Sequence, residues 1–211
     1  MDEYLDASGR SPFGEWFSGL DPQAAARIVV FLTRIERGNI SNVEPVGEGV
    51  SECKLDFGPG YRIYFWQRRP GVGDPALRWD KEAPATRHLH GQGALGRLQG
   101  AKERQDLMAL TRAFKETVLA RVQSDPAFRE ALLTEGVNAL LEGDVETGKA
   151  VLRDYIKATV GFEALAERTG TPSKSLMRMF GPKGNPAAKN LFAVIGELQR
   201  ASGLTLAVRA A

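Results

Sequence analysis

The chain has 211 residues, of which 43% are hydrophobic and 26% are charged, and its formal net charge is +2 at pH 7. This composition is typical of a soluble globular protein with one or two domains. The longest apolar run, Ile28–Leu32, is far too short to cross a membrane. A single cysteine, Cys53, excludes an internal disulfide and fits a reducing cytosol. We therefore expect a cytoplasmic protein. The two histidines, His88 and His90, are not part of a Cys/His cluster, so we expect no metal and no cofactor.

Two helices are predicted first, and each begins at a proline that follows a capping side chain. Ser11 caps a short helix that starts at Pro12, and Asp21 caps a longer helix from Pro22 to about Glu36. Proline fits this position because its fixed backbone angle already suits the first helical turn. The apolar residues of the longer helix fall on one stripe: Ala24, Ile28, Phe31, Leu32 and Ile35.

A small sheet is predicted after these helices. Val43–Val46 is a short extended piece, and Val50–Asp56 and Tyr61–Gln67 are strands joined by a turn rich in glycine and proline. In the second strand the apolar residues alternate with polar ones. One face is therefore core, and the other displays Arg62 and Tyr64.

Residues 10–67 resemble the RelE/HigB-type toxins of addiction modules, which are small α+β domains that cleave mRNA on the ribosome. The most specific part of the likeness is VGEGVSE followed by DFGPGYRIYF. The resemblance implies a ribonuclease in which the RNA supplies the attacking 2′-hydroxyl and the protein supplies cations and a proton donor or acceptor. It implies Arg62 as a phosphate clamp, Lys54 as a second cation and Tyr64 as a base-stacking residue. The residues alone also fit a second interpretation, in which these three form the solvated face of an amphipathic hairpin.

The segment of residues 68–107 follows neither the strand period nor the helix period, and it is rich in glycine and proline. We therefore predict a linker or a poorly ordered segment. The RelE/HigB resemblance implies a further strand, an Asp-Lys turn and a helix at this place, so the implied catalytic surface is incomplete. One hypothesis is that a reading-frame slip in the coding sequence replaced the last third of a toxin.

Regular patterns resume at Met108 and predict an all-α domain. The predicted helices run from Thr111 to about Gln123, from Pro126 to Leu141, from Asp144 to about Thr159, and from Pro186 to about Arg200. Each is expected to begin at a residue whose side chain can cap the helix, namely Thr111, Asp125, Asp144 and Asn185.

Between these helices, Gly161–Phe180 has the pattern of a helix-turn-helix, with Phe162–Arg168 as its first helix. Gly170 marks the turn because glycine adopts left-handed backbone angles without steric cost. Thr171 and Pro172 are expected to cap and open the second helix. That helix turns Leu176, Met179 and Phe180 inward. An ordinary helical hairpin with a solvated polar face fits the same pattern.

The charge distribution favours DNA binding. Residues 171–211 carry six Lys and Arg against one Glu, a net charge of +5, whereas residues 1–107 carry −1 and residues 108–170 carry −2. The basic surplus therefore begins at the proposed recognition helix, where phosphate contacts are needed. The residues predicted to contact DNA are Thr171, Ser173, Lys174, Ser175, Arg178, Lys183, Asn185 and Lys189.

Residues 108–209 resemble the HigA-like antitoxins and helix-turn-helix transcriptional regulators. The likeness lies in RAFKETVLARVQSDPAFREALL and in GDVETGKAVLRDYIKATVGFEALAERTGTPSKSLMRMFGPKGNPAAKNLF. It implies a homodimeric repressor that binds an inverted-repeat operator and neutralises a partner toxin. By position, Ser173, Lys174 and Arg178 reach the major groove. Arg178 is expected to pair with a guanine, and a plain phosphate contact is the alternative.

These patterns predict an α+β RelE-like fragment (1–67), a linker (68–107) and an all-α helix-turn-helix domain (108–211). The predicted function is that of a sequence-specific DNA-binding repressor and antitoxin of a toxin–antitoxin module, fused to an incomplete toxin-like domain; if that domain is active, it is an mRNA endoribonuclease through residues 1–67. Two alternatives stay open: a ribosome-dependent mRNA endonuclease held inactive by its tethered antitoxin, and an inert fusion. The expected partners are double-stranded operator DNA, a cognate toxin, a second copy of the chain and, for the nuclease alternative, the ribosome with its mRNA; no membrane is expected.

Overall fold

The computed structural model describes residues 1–6, 8–47, 50–66, 78–80 and 111–207, and within these the protein is a mixed α+β structure that is mostly helical. The strands are β1 (Asp2–Tyr4), β2 (Val43–Gly47), β3 (Val50–Leu55), β4 (Tyr61–Trp66), β5 (Arg78–Asp80) and β6 (Thr111–Ala113). The helices are α1 (Pro12–Ser18), α2 (Pro22–Glu36), α3 (Phe114–Ser124), α4 (Pro126–Leu141), α5 (Val145–Ala158), α6 (Phe162–Thr169), α7 (Ser173–Met179) and α8 (Ala188–Ser202). None of these helices is both long enough and apolar enough to cross a bilayer.

The chain divides into two compact units, which are Met1–Leu20 with Ile40–Thr117, and Asp21–Asn39 with Val118–Ala211. Helix α2 therefore groups with α4 and α5, against which it packs, whereas the sequence-based division at residues 67 and 108 had grouped it with the sheet. The reason is that α2 is apolar over more than one stripe. Its buried residues are Ala24, Ala25, Ala26, Ile28, Val29, Val30, Leu32 and Ile35.

The first unit contains a four-stranded antiparallel sheet in the order β2-β3-β4-β5 and a separate antiparallel pair, β1-β6. Alternation along β3 and β4 gives the sheet one apolar face, formed by Cys53, Leu55, Ile63 and Phe65. On α1, the rings of Phe13 and Phe17 each lie 5.4 Å from the ring of Phe114 in edge-on geometry. This aromatic cluster forms the core of the unit next to the sheet.

Two short strands differ from the sequence prediction. Arg78–Asp80 lies inside the segment expected to be a linker, yet it pairs with β4 as strand β5. Thr111, expected to cap a helix, instead pairs with Tyr4 in the β1-β6 ladder, and the helix begins at Phe114. In both cases a partner strand satisfies backbone groups that no local pattern reveals. The remaining residues of the 68–107 segment, with His88 and His90, and Met108 lie outside the described residues.

The second unit is built from helices whose start signals were largely predicted. Asp125 caps α4 by accepting from the backbone N–H of Phe128 at 3.0 Å, and Asp144 caps α5 by accepting from that of Thr147 at 3.3 Å. Ser11 and Asp21 cap α1 and α2 in the same way. Such caps are local, so the sequence predicts them well.

Helices α4 and α5 approach each other closely at Gly148. A Cβ atom added there would lie 2.6 Å from Leu140 Cδ2 and 2.9 Å from the carbonyl oxygen of Gly136. Glycine is therefore needed at position 148 for these two helices to pack at their observed distance.

Candidate functional sites

The first candidate site is the pair of short helices α6 and α7, which pack against each other. Gly170 joins them in the left-handed conformation, with φ of 65°. This backbone conformation favours glycine, as the sequence predicted. Leu165 of α6 and Leu176 of α7 are fully buried, so the turn and the two apolar faces hold the pair together.

The start of α7 differs from the prediction. Thr171 does not cap the helix, because α7 begins at Ser173 and no side chain accepts a hydrogen bond at its N-terminus. Pro172 occupies the cap position with φ of −53° and ψ of 137°, and its carbonyl accepts from the N–H groups of Ser175 and Leu176. The N–H of Thr171 donates to Oγ1 of Thr169 at 3.4 Å.

Helix α7 presents its polar residues outward and its apolar residues inward. Leu176, Met179 and Phe180 are buried, whereas Lys174 and Arg178 are exposed and Ser173 and Ser175 are half-buried. Lys174 and Arg178 are four residues apart, so they lie on the same side of the helix. The inward and outward faces thus match the prediction.

Four cations follow one another from α7 to the first turn of α8, namely Lys174, Arg178, Lys183 and Lys189, and all four are exposed. No carboxylate in the described part of the chain pairs with any of them. By contrast, Arg34, Arg37, Lys54 and Arg62 each form an ion pair with a glutamate or an aspartate. The four exposed cations are therefore available to an external anion.

A buried lysine anchors the loop that carries part of this set. Lys149 of α5 is only 2% exposed, and its Nζ donates to the carbonyl oxygen of Gly184 and pairs with Glu146. A Cβ at position 184 would lie 2.2 Å from the carbonyl oxygen of Met179, so the loop folds back tightly on the end of α7. Lys183 flanks this anchored glycine. Lys149 could not be predicted from the sequence, because nothing local marks a lysine whose partner is a distant carbonyl.

The start of α8 also differs from the prediction. Asn185 is exposed and does not cap the helix, which begins at Ala188 after Ala187 in the cap position. The N–H groups of Asn190 and Leu191 donate to the carbonyl of Ala187, without any side-chain cap. The residue in the cap position, Ala187, has extended backbone angles (φ −61°, ψ 141°), so the helix starts two residues later than predicted.

The second candidate site is the polar face of β3 and β4. Glu52 lies directly opposite Tyr64, and Lys54 lies opposite Arg62. One carboxylate oxygen of Glu52 accepts from Tyr64 Oη at 2.7 Å and from Arg62 Nη1 at 2.9 Å. Lys54 Nζ lies 3.6 Å from the other oxygen and 2.6 Å from Glu44 Oε2. The three residues predicted to be catalytic therefore converge on Glu52, a buried residue that the sequence analysis missed.

The charges of this cluster are balanced. Burial raises the pKa of the Glu52 carboxyl, but hydrogen bonds from Tyr64 and Arg62 outweigh it and hold that pKa below its ordinary value. Burial, together with the hydrogen bond to Glu52, raises the pKa of Tyr64 to about 12. At neutral pH Tyr64 is therefore protonated, and Arg62 and Lys54 are neutralised by Glu52 and Glu44.

Other side-chain chemistry is limited in the described residues. They hold no group of three or more His, Cys, Asp or Glu side chains that could bind a metal ion. Cys53 is buried, and this burial, with the nearby Glu52 carboxylate, raises the pKa of its thiol to about 12. A thiol in this state is a poor nucleophile at neutral pH.

Comparison with known proteins gives little functional information. No family model matches the chain, and no solved structure matches it. An uncharacterized protein of Haemophilus influenzae (strain ATCC 51907 / DSM 11121 / KW20 / Rd) is 36% identical over 54 residues, which are 25% of this chain and 54% of that protein. The chain thus spans about half the length of the curated relative that it matches, and the name of that relative gives no activity.

Proposed function

We propose that this chain is a sequence-specific DNA-binding repressor of the antitoxin type, in which α6 and α7 act as a helix-turn-helix. The observation that carries the proposal is the run of exposed cations without carboxylate partners in the described residues, Lys174, Arg178, Lys183 and Lys189. Phosphates are the anions that such a run fits best, because they are spaced along a surface rather than gathered in a pocket.

The positions of the polar residues along α7 support a role in DNA recognition. In a helix-turn-helix the second helix enters the major groove, and its N-terminal residues meet the base edges. Ser173 and Lys174 stand at the N-terminus of α7, and Arg178 follows one turn later on the side of Lys174. Phosphate contacts then fall to Lys183 and Lys189, which come after the helix.

The order of the two segments along the chain also fits a toxin–antitoxin module. Residues 108–209 resemble HigA-like antitoxins, and residues 10–67 resemble RelE/HigB-like toxins, so the chain joins a toxin-like segment to a repressor. A homodimer is expected, because two recognition helices about 34 Å apart fit the two halves of an inverted-repeat operator. A nuclease is not proposed, since Glu52 and Glu44 already neutralise the two cations that the toxin resemblance assigns to RNA phosphate.

A gel-shift titration with the DNA upstream of the gene tests the proposal. Neutralising four phosphates per protomer gives a slope of log K against log salt of about −3.6 per protomer, so affinity should fall steeply between about 50 and 200 mM salt. Lys183→Ala should weaken binding and reduce the slope by about 1. Arg10→Ala is the matched control, because Arg10 is an exposed cation of the first unit that pairs with Asp6. Equal losses in both variants, or no binding at low salt, would contradict the proposal.

A further inference from the structure

Helix α2 carries a row of arginines along one side. Arg27 and Arg34 of α2 and Arg37, the residue that caps its C-terminus, are spaced by seven and by three residues, which places them on one side of the helix. None of the three points into the apolar core, because they lie beside the stripe of buried residues of α2. The helix is thus amphipathic, with an arginine edge next to its apolar face.

Each arginine meets its own glutamate on α4, on α5 or at the corner between them. Arg27 Nε lies 3.4 Å from Glu135 Oε1, Arg34 Nη2 lies 2.8 Å from Glu142 Oε2, and Arg37 Nη2 lies 2.6 Å from Glu146 Oε2. Arg34 Nε also pairs with Asp144 Oδ2 at 2.7 Å. We call Glu135, Glu142, Asp144 and Glu146 the acidic row.

The apolar side of α2 packs against the same two helices, α4 and α5. Ala25, Ile28, Leu32 and Ile35 repeat at intervals of three and four, and all are buried where α2 packs against α4 and α5. This is the arrangement of a helix laid in a groove, in which apolar residues at such spacings are the anchors. The acidic row adds specificity for a helix with arginines at matching positions.

The two sides of this contact come from different parts of the sequence. Helix α2 lies in residues 10–67, which resemble a toxin, and the acidic row lies in residues 108–209, which resemble an antitoxin. We propose that the groove of α4 and α5, with its acidic row, is the surface by which the antitoxin-like part binds an arginine-bearing helix of a toxin, and that α2 fills this surface within the same chain.

Helix α2, by filling the groove, excludes a separate toxin from it. A tethered helix binds intramolecularly, so a separate toxin must compete with its effective concentration as well as with its contacts. The intact chain is therefore closed to a second toxin molecule. This inference rests on the toxin–antitoxin part of the proposed function, but its test does not involve DNA.

An exchange experiment on the full chain tests the inference. A protease site is inserted within residues 81–110 and cut after folding, so that both pieces stay present, and a dye is placed at the new end of the N-terminal piece. This nicked chain is mixed with unlabelled chain that carries an affinity tag, and transfer of dye to the tagged chain is measured. We expect transfer to tagged nicked chain and none to tagged intact chain.

Charge reversal identifies the contacts responsible. The variant Arg34→Glu with Arg37→Glu should exchange about tenfold faster. Adding Glu142→Lys should slow the exchange again in part, whereas Asp144 and Glu146 are left in place because Asp144 caps α5 and Glu146 pairs with the buried Lys149. Circular dichroism confirms that each nicked variant is folded; a variant that is unfolded is replaced by Arg27→Glu with Glu135→Lys.

Three results of these experiments would each reject a different part of the inference. Equal exchange into intact and nicked chains would overturn the idea that α2 closes the surface. Unchanged exchange on charge reversal, or no recovery in the charge-swapped variant, would overturn recognition by the acidic row. A failed gel shift with these exchange results intact would reject the DNA-binding function and leave the docking surface standing.

Discussion

Arg34 of α2 and Asp144, the capping residue of α5, form an ion pair in which Nε and Oδ2 are 2.7 Å apart, although the two residues are 110 positions apart in the chain. The other oxygen of Asp144 accepts from the backbone N–H of Thr147. One carboxylate therefore begins α5 and holds α2 against it. Burial raises the pKa of Asp144, and the bonds from Arg34 and Thr147 outweigh burial and hold this pKa below its ordinary value.

Removing this carboxylate should reduce stability. We expect Asp144→Ala to lower the free energy of unfolding by about 1–2 kcal/mol, because the cap and the partner of Arg34 are lost together. Asp144→Asn is the matched control, since an asparagine oxygen still caps a helix but carries no charge. Urea unfolding at neutral pH measures both. An Asp144→Asn variant as stable as the wild type would mean that the ion pair contributes nothing beyond the cap.

The pH dependence of stability follows from the lowered pKa of Asp144. The contribution of such a carboxylate is fully present above its unfolded-state pKa of about 3.9 and is lost as pH falls through the lower folded-state pKa. The wild type should therefore lose more stability than Asp144→Asn between about pH 6 and pH 2. Parallel curves for the two proteins would contradict this assignment.

The close approach of α4 and α5 at Gly148 predicts a second stability effect. Gly148→Ala should destabilise the protein by about 1–3 kcal/mol, because the added Cβ meets Leu140 and the backbone of Gly136. Gly196→Ala on α8 is the control, since nothing lies within 4 Å of a Cβ built there. That substitution should stabilise by about 0.5–1 kcal/mol, the usual gain for alanine inside a helix. Thermal unfolding of both variants decides the sign of each effect.

The anchored loop predicts an effect on DNA binding that is separate from stability. Lys149→Met keeps an apolar stem in the buried site but removes the donor to the Gly184 carbonyl. We expect weaker operator binding with a helical content that stays unchanged, because Lys183 is no longer held next to an anchored glycine. Gel shift and circular dichroism measure the two quantities. Full operator affinity in a folded Lys149→Met variant would show that the anchor does not serve the interface.

The Glu52 cluster predicts a spectroscopic result. Tyr64 should ionise at a pKa of about 12, and Glu52→Gln should bring this pKa back towards its ordinary value, because the negative neighbour is removed. Absorbance titration of the tyrosines, with Tyr64→Phe to assign the signal, measures the change. A titration that Glu52→Gln leaves unaltered would show that Glu52 does not control Tyr64.

Growth of producing cells tests the expectation that the chain does not cleave mRNA. We expect cells that express the full chain to grow normally, because Arg62 and Lys54 are held by Glu52 and Glu44. Arrest that Arg62→Ala relieves, together with cleaved mRNA in the arrested cells, would reverse this expectation.

Local features of the fold could be predicted from the sequence, and long-range ones could not. The caps of Ser11, Asp21, Asp125 and Asp144 and the left-handed Gly170 each depend on a few neighbouring residues. Strand β6 depends instead on its pairing with β1, more than a hundred positions away. The caps expected at Thr171 and Asn185 failed, although proline follows them just as it follows the working caps Ser11, Asp21 and Asp125, so this local pattern does not by itself fix where a helix begins.

The same limit applies to the sites. Lys54, Arg62 and Tyr64 were expected to share one face, since alternation along a strand is a local property. Their common partner, Glu52, depends on the register of β3 against β4. The packing of α2 against α4 and α5 depends on arginines and carboxylates about 110 positions apart, which no window of sequence brings together. The exposed residues of α7 were accessible to sequence analysis because their periodicity is helical.

The role of Arg178 distinguishes a sequence-reading helix from a basic surface. If Arg178 pairs with a guanine in the major groove, Arg178→Ala should cost about 1–3 kcal/mol at one base position and relax the preference there. If it contacts phosphate, the variant should bind every operator less tightly by the same factor and reduce the salt slope by about 1. A panel of operators with single base changes, titrated with wild type and variant at one salt concentration, separates these results. Lys174→Ala serves as the comparison, because Lys174 lies on the same side of α7 one turn earlier. Arg178→Ala with undiminished affinity for every operator would remove α7 from the DNA interface.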